Sequence, residues 1–210
     1  MIANLERHLT DTPLVAILRG VTPDAVAAIG QALFDAGFRT IEVPLNSPQP
    51  LDSIARLAAH FGDECLVGAG TVLSAEAVDQ VVAAGGKLIV TPNSDPAVIA
   101  HAVSLGLLPM PGFATATEAF AAIKAGARHL KLFPASTYGH GHLKALSAVM
   151  PRDVRLYAVG GVGAGNLGPW IEAGVAGIGV GGEVFKPGME AAEVGERARQ
   201  IISAWRKGTS

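Results

Sequence analysis

The stretch KAGARHLKLF, residues 124–133, contains the kind of junction that decides the fold. A helix-like segment ends at Gly126, and an apolar strand that contains Lys131 follows almost at once. Glycine commonly occupies the left-handed position that follows the last turn of a helix. The stretch therefore predicts a helix that turns directly into a buried β-strand.

The same junction recurs along the chain. Its other glycines are Gly37, Gly85, Gly106 and Gly174, in DAGFRTIEV, AAGGKLIV, SLGLLPM and EAGVAGIGV. Two intervals are about twice as long as the others, and each contains a further helix breaker, Gly62 or Pro151. The seven junctions, together with the strand LVAILRG before the first of them, predict eight strands that alternate with helices.

Alternation of strands and helices is typical of parallel βαβ units, and eight units favour an α/β fold of the (β/α)8 barrel type. The helices are expected over 23–36, 74–84, 95–104, 115–125, 166–173 and about 189–206. An open, doubly wound sheet is the alternative, because a strand count does not prove closure. No linker divides the chain, so residues 1–210 are expected to form one domain.

The composition of the chain argues against several classes of protein. Half of the residues are hydrophobic, which supports a sizeable core. The net charge of -2 comes without a basic block, so nucleic acid is not an expected partner. The early charged residues and the lack of a long apolar run predict a soluble, cytoplasmic protein without a membrane span. The single cysteine, Cys65, lies in a strand-like segment and is expected to be a buried, inert thiol.

The alternation of side chains along a strand predicts which polar residues of two strands face the barrel interior. In the sixth strand, Leu130 and Leu132 suit the helix layer, which leaves Lys131 facing the barrel interior. The same alternation in TIEVPL turns Glu42 of the second strand inward. Because the chemistry of this fold lies at the carboxyl ends of the strands, both residues are candidates for it.

Other polar residues end the neighbouring strands. Arg19, Thr71 and Thr91 end the first, third and fourth strands, and Arg19 is expected to meet Lys131 and Glu42 at one cavity mouth. A purely structural ion pair between Lys131 and Glu42 is the alternative. Buried pairs are a weak source of stability, however, and three ionisable residues at the catalytic end favour chemistry.

These residue types indicate Schiff-base chemistry. A lysine among apolar neighbours loses proton affinity, and a nucleophilic lysine needs that loss to be neutral near pH 7. The iminium that it forms with a ketone acts as an electron sink for cleavage of the adjacent carbon–carbon bond. A carboxylate such as Glu42 moves the protons, and Arg19 can bind a substrate carboxylate through two parallel hydrogen bonds.

Glycine pairs follow the seventh and eighth strands, Gly160-Gly161 in AVGGVGAGN and Gly181-Gly182 in GIGVGGEVF. Barrels of this class often build a phosphate site at these two strand ends from loop amides. Turn formation is the usual reason for one such pair, but two pairs at these strands together favour a phosphorylated substrate. The sequence therefore indicates a small phosphorylated keto acid.

The motif TYGHGHLK raises the question of a metal site. It offers His140 and His142 as ligands, but no matching carboxylate or third histidine accompanies them. A polar glycine loop is the favoured interpretation, so no metal or other cofactor is expected. His129, one layer below Lys131, is expected to be a core histidine with its hydrogen bonds satisfied.

Eight segments carry a resemblance to a known family. They are LVAILRG, FRTIEVPLNSP, VGAGTVL, LIVTPN, PGFATATEAF, HLKLFPAS, YAVGGV and GIGVGG. In this order and across nearly the whole chain, they resemble segments of the bacterial class I aldolases that cleave 2-dehydro-3-deoxy-6-phospho sugar acids. The resemblance implies a (β/α)8 barrel, a homotrimer and no metal, with Lys131 as the Schiff-base lysine and Glu42 as the general acid/base.

Two branches of this family differ at the site. The gluconate branch carries an arginine shortly after the glutamate and a threonine just before the strand-seven glycine pair. Here PLNSP and Val159 stand at those places, and Arg19 lies on strand one, so the chain resembles the galactonate branch. The implied substrate is 2-dehydro-3-deoxy-6-phospho-D-galactonate, which yields pyruvate and D-glyceraldehyde 3-phosphate.

The resemblance also assigns the substrate contacts. Arg19 and Thr71 bind the carboxylate end, and Val159 lies where the C4 configuration can be sensed. The phosphate contacts fall on Gly160, Gly161, Gly181 and Gly182. At Gly182 this branch often has a serine, so a hydroxyl contact is lost here while the backbone amides remain.

Three other functions stay open at this point. A phosphogluconate or 4-hydroxy-2-oxoglutarate aldolase would use the same lysine. An isomerase or synthase on a phosphate-binding barrel would use Lys131 as an acid/base or as a charge. A barrel that binds phosphosugars without turnover would need no nucleophile.

Overall fold

The computed structural model describes residues 2–209, and for Ala3 and Asp11 it describes the backbone alone. Its strands are β1 (Leu14–Ile17), β2 (Thr40–Pro44), β3 (Leu66–Gly70), β4 (Leu88–Val90), β5 (Leu108–Met110), β6 (Gly112–Phe113), β7 (His129–Leu132), β8 (Arg155–Val159) and β9 (Gly177–Val180). Its helices are α1 (Ile2–Asp11), α2 (Pro23–Ala36), α3 (Pro50–Phe61), α4 (Ala75–Ala83), α5 (Pro96–Ser104), α6 (Ala116–Lys124), α7 (Ala135–Ser147), α8 (Gly168–Glu172) and α9 (Ala191–Thr209).

The strands form one parallel sheet in the order β5-β4-β3-β2-β1-β9-β8-β7-β6. The two ends of this order, β5 and β6, are consecutive in the chain and separated only by Pro111. β5 pairs with β4, and β6 pairs with β7. The two are therefore halves of one strand that closes the sheet, so the predicted (β/α)8 barrel is confirmed and the open sheet is excluded.

Pro111 explains why the fifth barrel strand is split. Proline has no N–H to donate to a neighbouring strand, so it interrupts the regular pairing. Its carbonyl still accepts a hydrogen bond from the Lys131 N–H, at 2.9 Å. The barrel therefore stays closed at Pro111, because this hydrogen bond joins it to the strand that carries Lys131.

The junction glycines have the backbone that the sequence predicted. All five have a positive φ, from +74° to +114°, at Gly37, Gly85, Gly106, Gly126 and Gly174. At Gly37 the N–H donates to the Phe34 carbonyl at 3.0 Å, and the Phe38 N–H donates to the Leu33 carbonyl at 3.0 Å. These bonds satisfy carbonyls at the end of α2 and direct the chain into β2.

Side chains of the barrel strands divide between two apolar clusters. Ile41, Val43, Leu130 and Leu132 are fully buried in the cluster that joins the strands to the helices. The barrel interior holds a second cluster, which includes Val15, Leu66, Leu88, Leu108, Met110, Tyr157 and Val159. The predicted orientation is therefore confirmed for β2 and for β7, which is the sixth strand of the barrel. It turns Glu42 and Lys131 inward.

Helix α1 was not predicted from the sequence, and it covers the amino-terminal end of the barrel. Its Leu9 is buried against the interior cluster. His129 Nε2 lies 3.2 Å from a carboxylate oxygen of Glu6 on α1, and its Nδ1 lies 3.3 Å from the Tyr157 hydroxyl. His129 is thus a core histidine with polar partners, as expected, and the barrel opens at its carboxyl end.

The segment TYGHGHLK is helical, so the predicted loop is wrong. It belongs to α7, whose regular backbone is interrupted at Gly139, with φ 79° and ψ 163°. Two glycines favour a loop locally, but Ala135 and Leu143 are fully buried in the core and tertiary packing stabilises the helix. None of the helices within residues 2–209 combines the length and apolar character needed to cross a membrane.

Candidate functional site

Lys131 lies inside the barrel near the carboxyl end of β7. Its residue surface is 6% exposed, and its Nζ lies 4.8 Å from the centroid of the Phe133 ring. Burial lowers the pKa of Lys131 from 10.5 to about 8; the negative charge of Glu42 opposes this shift, and the positive charge of Arg19 adds to it. A much larger fraction of this amine is therefore neutral near pH 7 than of a solvent-exposed lysine.

Glu42 projects into the barrel from β2, on the side opposite β7. Three barrel strands separate β2 from β7 in either direction round the sheet. Glu42 is 3% exposed, and burial raises its pKa to about 7, while Lys131, Arg19 and the Gly70 amide act to lower it. Among residues 2–209, its buried Oε2 has no hydrogen-bond partner. The carboxyl can therefore take up and release a proton near neutral pH.

Lys131 and Glu42 together offer a nucleophile and a proton carrier in the buried interior of the barrel. Burial favours the neutral form of each group, whereas their opposite charges favour the ionised pair. Because their titrations overlap, a proton can be held by either group at little cost. This arrangement suits chemistry in which an amine adds to a carbonyl and a carboxylate moves protons.

Arg19 stands at the mouth of the same cavity. It follows β1, is exposed, and its Nη1 donates a hydrogen bond to the Asn46 side-chain oxygen at 3.0 Å. Its charge reaches both buried groups, because it lowers the pKa of Glu42 and that of Lys131. The predicted proximity of Arg19 to Glu42 and Lys131 therefore agrees with the effect of its charge on the pKa of both groups.

Thr71 follows the end of β3 with an unusual backbone. Its φ of +58° lies in the left-handed region that threonine seldom adopts. The next residue, Val72, donates its N–H to the Val90 carbonyl at 3.2 Å, which holds this turn against β4. Strained backbone of this kind is concentrated at functional sites, and here it lies at the cavity mouth.

An apolar surface lines another part of the interior. Val159, at the end of β8, packs so closely on Gly179 that an added Cβ there would lie 2.9 Å from a valine methyl. Ile17, at the end of β1, is partly buried and lies 3.4 Å from the same added Cβ. The side chain of Val159 therefore lies over Gly179 of β9, on the side of the sheet that Ile17 of β1 also faces.

The two glycine pairs lie after β8 and β9, at the same end of the barrel. Gly160 and Gly161 have φ values of +100° and +73°. The Ser136 N–H donates to the Gly160 carbonyl at 3.0 Å, and an added Cβ on Gly161 would lie 2.8 Å from the Ser136 Cβ. The first pair is thus pressed against the start of α7.

The second glycine pair begins a turn. The N–H groups of Val184 and Phe185 each donate to the Gly181 carbonyl at 2.9 Å. In the described part of the chain, the amides of Gly161 and Gly182 donate to no protein acceptor. These amides remain available as donors to an anion such as a phosphate group.

The two histidines of α7 are engaged in packing. His142 Nε2 lies 2.6 Å from the Ala114 carbonyl, and the His140 ring stands edge-on to Trp170 at 6.0 Å. Among the side chains that the structure describes, no three of His, Cys, Asp or Glu lie close enough to hold a metal ion.

A cleft of about 410 Å³ lies at the opposite end of the barrel, beneath α1. The polar groups along it interact with one another, since Lys87 pairs with the Asp63 carboxylate at 2.7 Å and Arg7 donates to the Asp63 carbonyl at 2.8 Å. Cys65, also in this cleft, is buried, and burial raises the pKa of its thiol to about 12. The cleft lacks an activated nucleophile, so the carboxyl end is the favoured site.

Gly70 is a site residue that sequence reasoning missed. It ends β3, and a Cβ added there would overlap the Glu42 carboxylate. The absence of a side chain therefore leaves the space that the carboxylate occupies. The sequence signal was a strand that ends in glycine beside the glutamate strand, but only the packing distance gives it this meaning.

Substitution Gly70→Ala is expected to displace the Glu42 carboxylate and to reduce turnover by about 10²-fold or more, the usual effect of losing a placed general acid/base. The fold should persist, because the overlap involves the end of a flexible side chain. Steady-state kinetics and thermal unfolding measure both effects. Gly168→Ala, which meets no atom within 4 Å, is the matched control. Normal turnover by the Gly70→Ala variant would contradict this role.

The chain matches a protein-family model described as "KDPG and KHG aldolase" over residues 5–199. It is 48% identical over 198 residues to the 2-dehydro-3-deoxy-6-phosphogalactonate aldolase of Escherichia coli (strain K12), with 94% of this chain and 97% of that protein covered. It is 34% identical over 159 residues to the 2-dehydro-3-deoxy-phosphogluconate aldolase of Treponema pallidum (strain Nichols), with 76% and 74% covered.

A solved structure described as "Native KDPGal structure" superimposes on the chain with a TM-score of 0.92. The two sequences are 48% identical, and the match covers 94% of this chain and 96% of the other. Similarity in sequence and in fold thus extends over every barrel strand that carries a candidate residue.

Proposed function

This chain belongs to the KDPG and KHG aldolase family of lyases, and from that premise we propose that it cleaves 2-dehydro-3-deoxy-6-phospho-D-galactonate to pyruvate and D-glyceraldehyde 3-phosphate. The observation that carries the proposal is the buried pair of Lys131 and Glu42, with the pKa of the amine lowered and that of the carboxyl raised. A desolvated lysine of this kind forms Schiff bases with ketones.

Catalysis begins at Lys131. Its neutral amine attacks the C2 ketone of the substrate and gives a carbinolamine, which loses water to form an iminium. The positive iminium nitrogen then draws electrons from the C3–C4 bond. Burial serves this step directly, because it lowers the proton affinity of the amine that must attack.

Glu42 completes the cleavage. Its carboxylate takes the proton of the C4 hydroxyl, directly or through water, as the C3–C4 bond breaks and D-glyceraldehyde 3-phosphate forms. The electron pair of that bond passes to the enamine on Lys131. Protonation of the enamine carbon and hydrolysis of the resulting iminium release pyruvate and restore the free amine.

The remaining residues hold the two ends of the substrate. Arg19 and Thr71 bind the carboxylate beside the reacting ketone, since a guanidinium offers paired donors to a carboxylate. The phosphate binds at the other end, to the amides of Gly160, Gly161, Gly181 and Gly182. At these strand ends an anion needs no side-chain hydroxyl, so glycine at position 182 is compatible with phosphate binding.

Val159 is proposed to favour the galactonate epimer. Its methyl groups offer no hydrogen bond to a C4 hydroxyl, and its packing on Gly179 keeps them in place. Support for this branch also comes from the higher identity to the galactonate enzyme of Escherichia coli than to the gluconate enzyme of Treponema pallidum.

Pyruvate formation from the two C4-epimeric substrates tests the proposal. We expect kcat/KM to be at least about tenfold higher for the galactonate epimer, and Val159→Thr to reduce that ratio, because a hydroxyl in the pocket can bond the other epimer. Thermal unfolding of the variant checks its fold. Preference for the gluconate epimer would overturn the assignment to the galactonate branch, and no pyruvate from either epimer would overturn cleavage of phosphorylated sugar acids.

Three further features remain predictions. Residues 1–210 are proposed to act as one domain, and the chain is proposed to form a homotrimer in the cytoplasm. The trimer rests on the family resemblance, and its mass in solution would be about three times the 21.4 kDa of one chain. The proposed chemistry needs no metal or organic cofactor, because the iminium itself supplies the electron sink.

A further inference from the structure

The loops that follow β1 and β2 lie side by side above the buried pair. The two strands are paired up to Ile17 and Glu42, and the Leu18 N–H donates to the Glu42 carbonyl at 2.9 Å. Beyond this point the chains leave the sheet but stay in contact. Any residue that joins these loops therefore lies at the cavity mouth.

Two hydrogen bonds join the loops. The Arg19 Nη1 donates to the Asn46 Oδ1 at 3.0 Å, and the Gly20 N–H donates to the Ser47 Oγ at 2.9 Å. Ser47 is buried and acts on the backbone of Gly20, whose φ is +82°. Asn46 acts on the arginine side chain, so the two residues have different roles.

The Asn46 contact restrains an exposed side chain. In the described part of the chain, it is the only hydrogen bond made by the Arg19 guanidinium. Exposed arginine side chains lose substantial rotamer entropy when a ligand orders them. A hydrogen bond that orders the guanidinium beforehand reduces that loss, and it engages one of five N–H donors, so the others remain for a ligand.

The electrostatic effect of Arg19 agrees with a guanidinium that is held near the buried pair. Its positive charge acts on Glu42 and on Lys131, which lie on opposite sides of the barrel. A side chain extended into bulk solvent would be screened from both. The guanidinium held by Asn46 therefore lies within electrostatic range of both the carboxyl and the amine.

We propose that Asn46 is a positioning residue that holds the guanidinium of Arg19 ready to receive the substrate carboxylate. The proposal rests on the proposed function, because it takes for granted that Arg19 meets a carboxylate. Asn46 itself touches no reacting atom in this scheme. It acts through Arg19, and its loss should weaken carboxylate binding much more than it changes the reactivity of Lys131.

The experiment compares two ketones that form a Schiff base on Lys131 and are trapped with borohydride. Pyruvate carries a carboxylate and acetone carries none. In Asn46→Ala, the pyruvate concentration for half-maximal trapping should rise about threefold to tenfold, the range for losing one hydrogen bond of ordinary net strength. The acetone concentration for half-maximal trapping should change far less. Asn4→Ala, an exposed asparagine at the other end of the barrel, is the matched control.

A double-substitution cycle isolates the route through Arg19. Arg19→Ala should weaken pyruvate trapping more strongly, and adding Asn46→Ala to it should have no further effect. Additive effects, equal losses with acetone, or wild-type pyruvate dependence in Asn46→Ala would each overturn the inference alone. A wild-type protein that traps neither ketone would overturn the proposed function, and this inference with it.

Discussion

Lys131→Met is expected to abolish borohydride trapping of pyruvate and to reduce cleavage by about 10⁴-fold or more, as is typical when a nucleophile is removed. Methionine has a similar length but no nitrogen, so no iminium can form. The fold should persist, because an apolar side chain replaces an amine whose charged form is penalised by burial, and the buried Glu42 can become neutral by taking up a proton. Mass spectrometry and steady-state kinetics measure the two losses.

Lys87→Met provides the matched control for this experiment. Lys87 lies at the opposite end of the barrel, where it pairs with Asp63 at 2.7 Å on the surface. This variant should retain both trapping and turnover. A pyruvyl adduct on another lysine of the Lys131→Met protein, or normal cleavage by it, would reject the role assigned to Lys131.

The pH dependence of borohydride trapping follows from the lowered pKa of Lys131. The pKa of Lys131 is lowered from 10.5 to about 8, so the neutral fraction of the amine increases as the pH passes about 8. The trapping rate should therefore rise mainly between about pH 7 and 9 rather than near 10.5. A rise centred near the pKa of free lysine would contradict the desolvated state of this amine.

Glu42→Gln is expected to reduce turnover by about 10²-fold to 10⁴-fold, the usual contribution of a general acid/base. Glutamine keeps the shape of the side chain but cannot carry the C4 proton away. The pyruvyl adduct on Lys131 should still form, and its pH profile should move to lower pH, because the negative charge that raises the pKa of Lys131 is removed.

The difference in stability between the Glu42→Gln variant and the wild type should also depend on pH. Burial raises the pKa of Glu42 from 4.5 to about 7, so the folded protein holds this proton more tightly than the unfolded chain. The stability of the wild type therefore decreases as the pH rises from about 4.5 to 7, and glutamine removes that loss. The variant should gain more in thermal midpoint at pH 8 than at pH 5. Glu64→Gln, at an exposed position, should show no such difference.

The orientation of the catalytic pair was predictable because strand alternation is strict. Once Leu130 and Leu132 are assigned to the helix layer, Lys131 must face the barrel interior, because successive side chains point to opposite faces of a strand. The same alternation turns Glu42 inward, because its neighbour Ile41 faces the helices. A buried charge is costly, so its presence on an inward position carries information that an exposed charge does not. The junction glycines were equally informative, because few residues tolerate a positive φ.

Other features depend on distances that a single sequence does not contain. The covering of the barrel by α1 depends on where Leu9 and Glu6 lie relative to strands far along the chain. The helix over TYGHGHLK exists because Leu143 reaches the core, against the local preference of its glycines. The roles of Gly70 and Asn46 likewise come from packing and hydrogen bonding between neighbouring strands.

The position of α1 bears on the order in which products leave. With α1 over the amino-terminal end of the barrel, we expect substrate, water and both products to pass through the carboxyl end. In the proposed mechanism, pyruvate stays attached to Lys131 after the C3–C4 bond breaks, whereas the phosphorylated aldehyde is no longer bonded to the protein. Water that hydrolyses the iminium has to enter by the route that the aldehyde occupies, so we expect the aldehyde to depart first and pyruvate last.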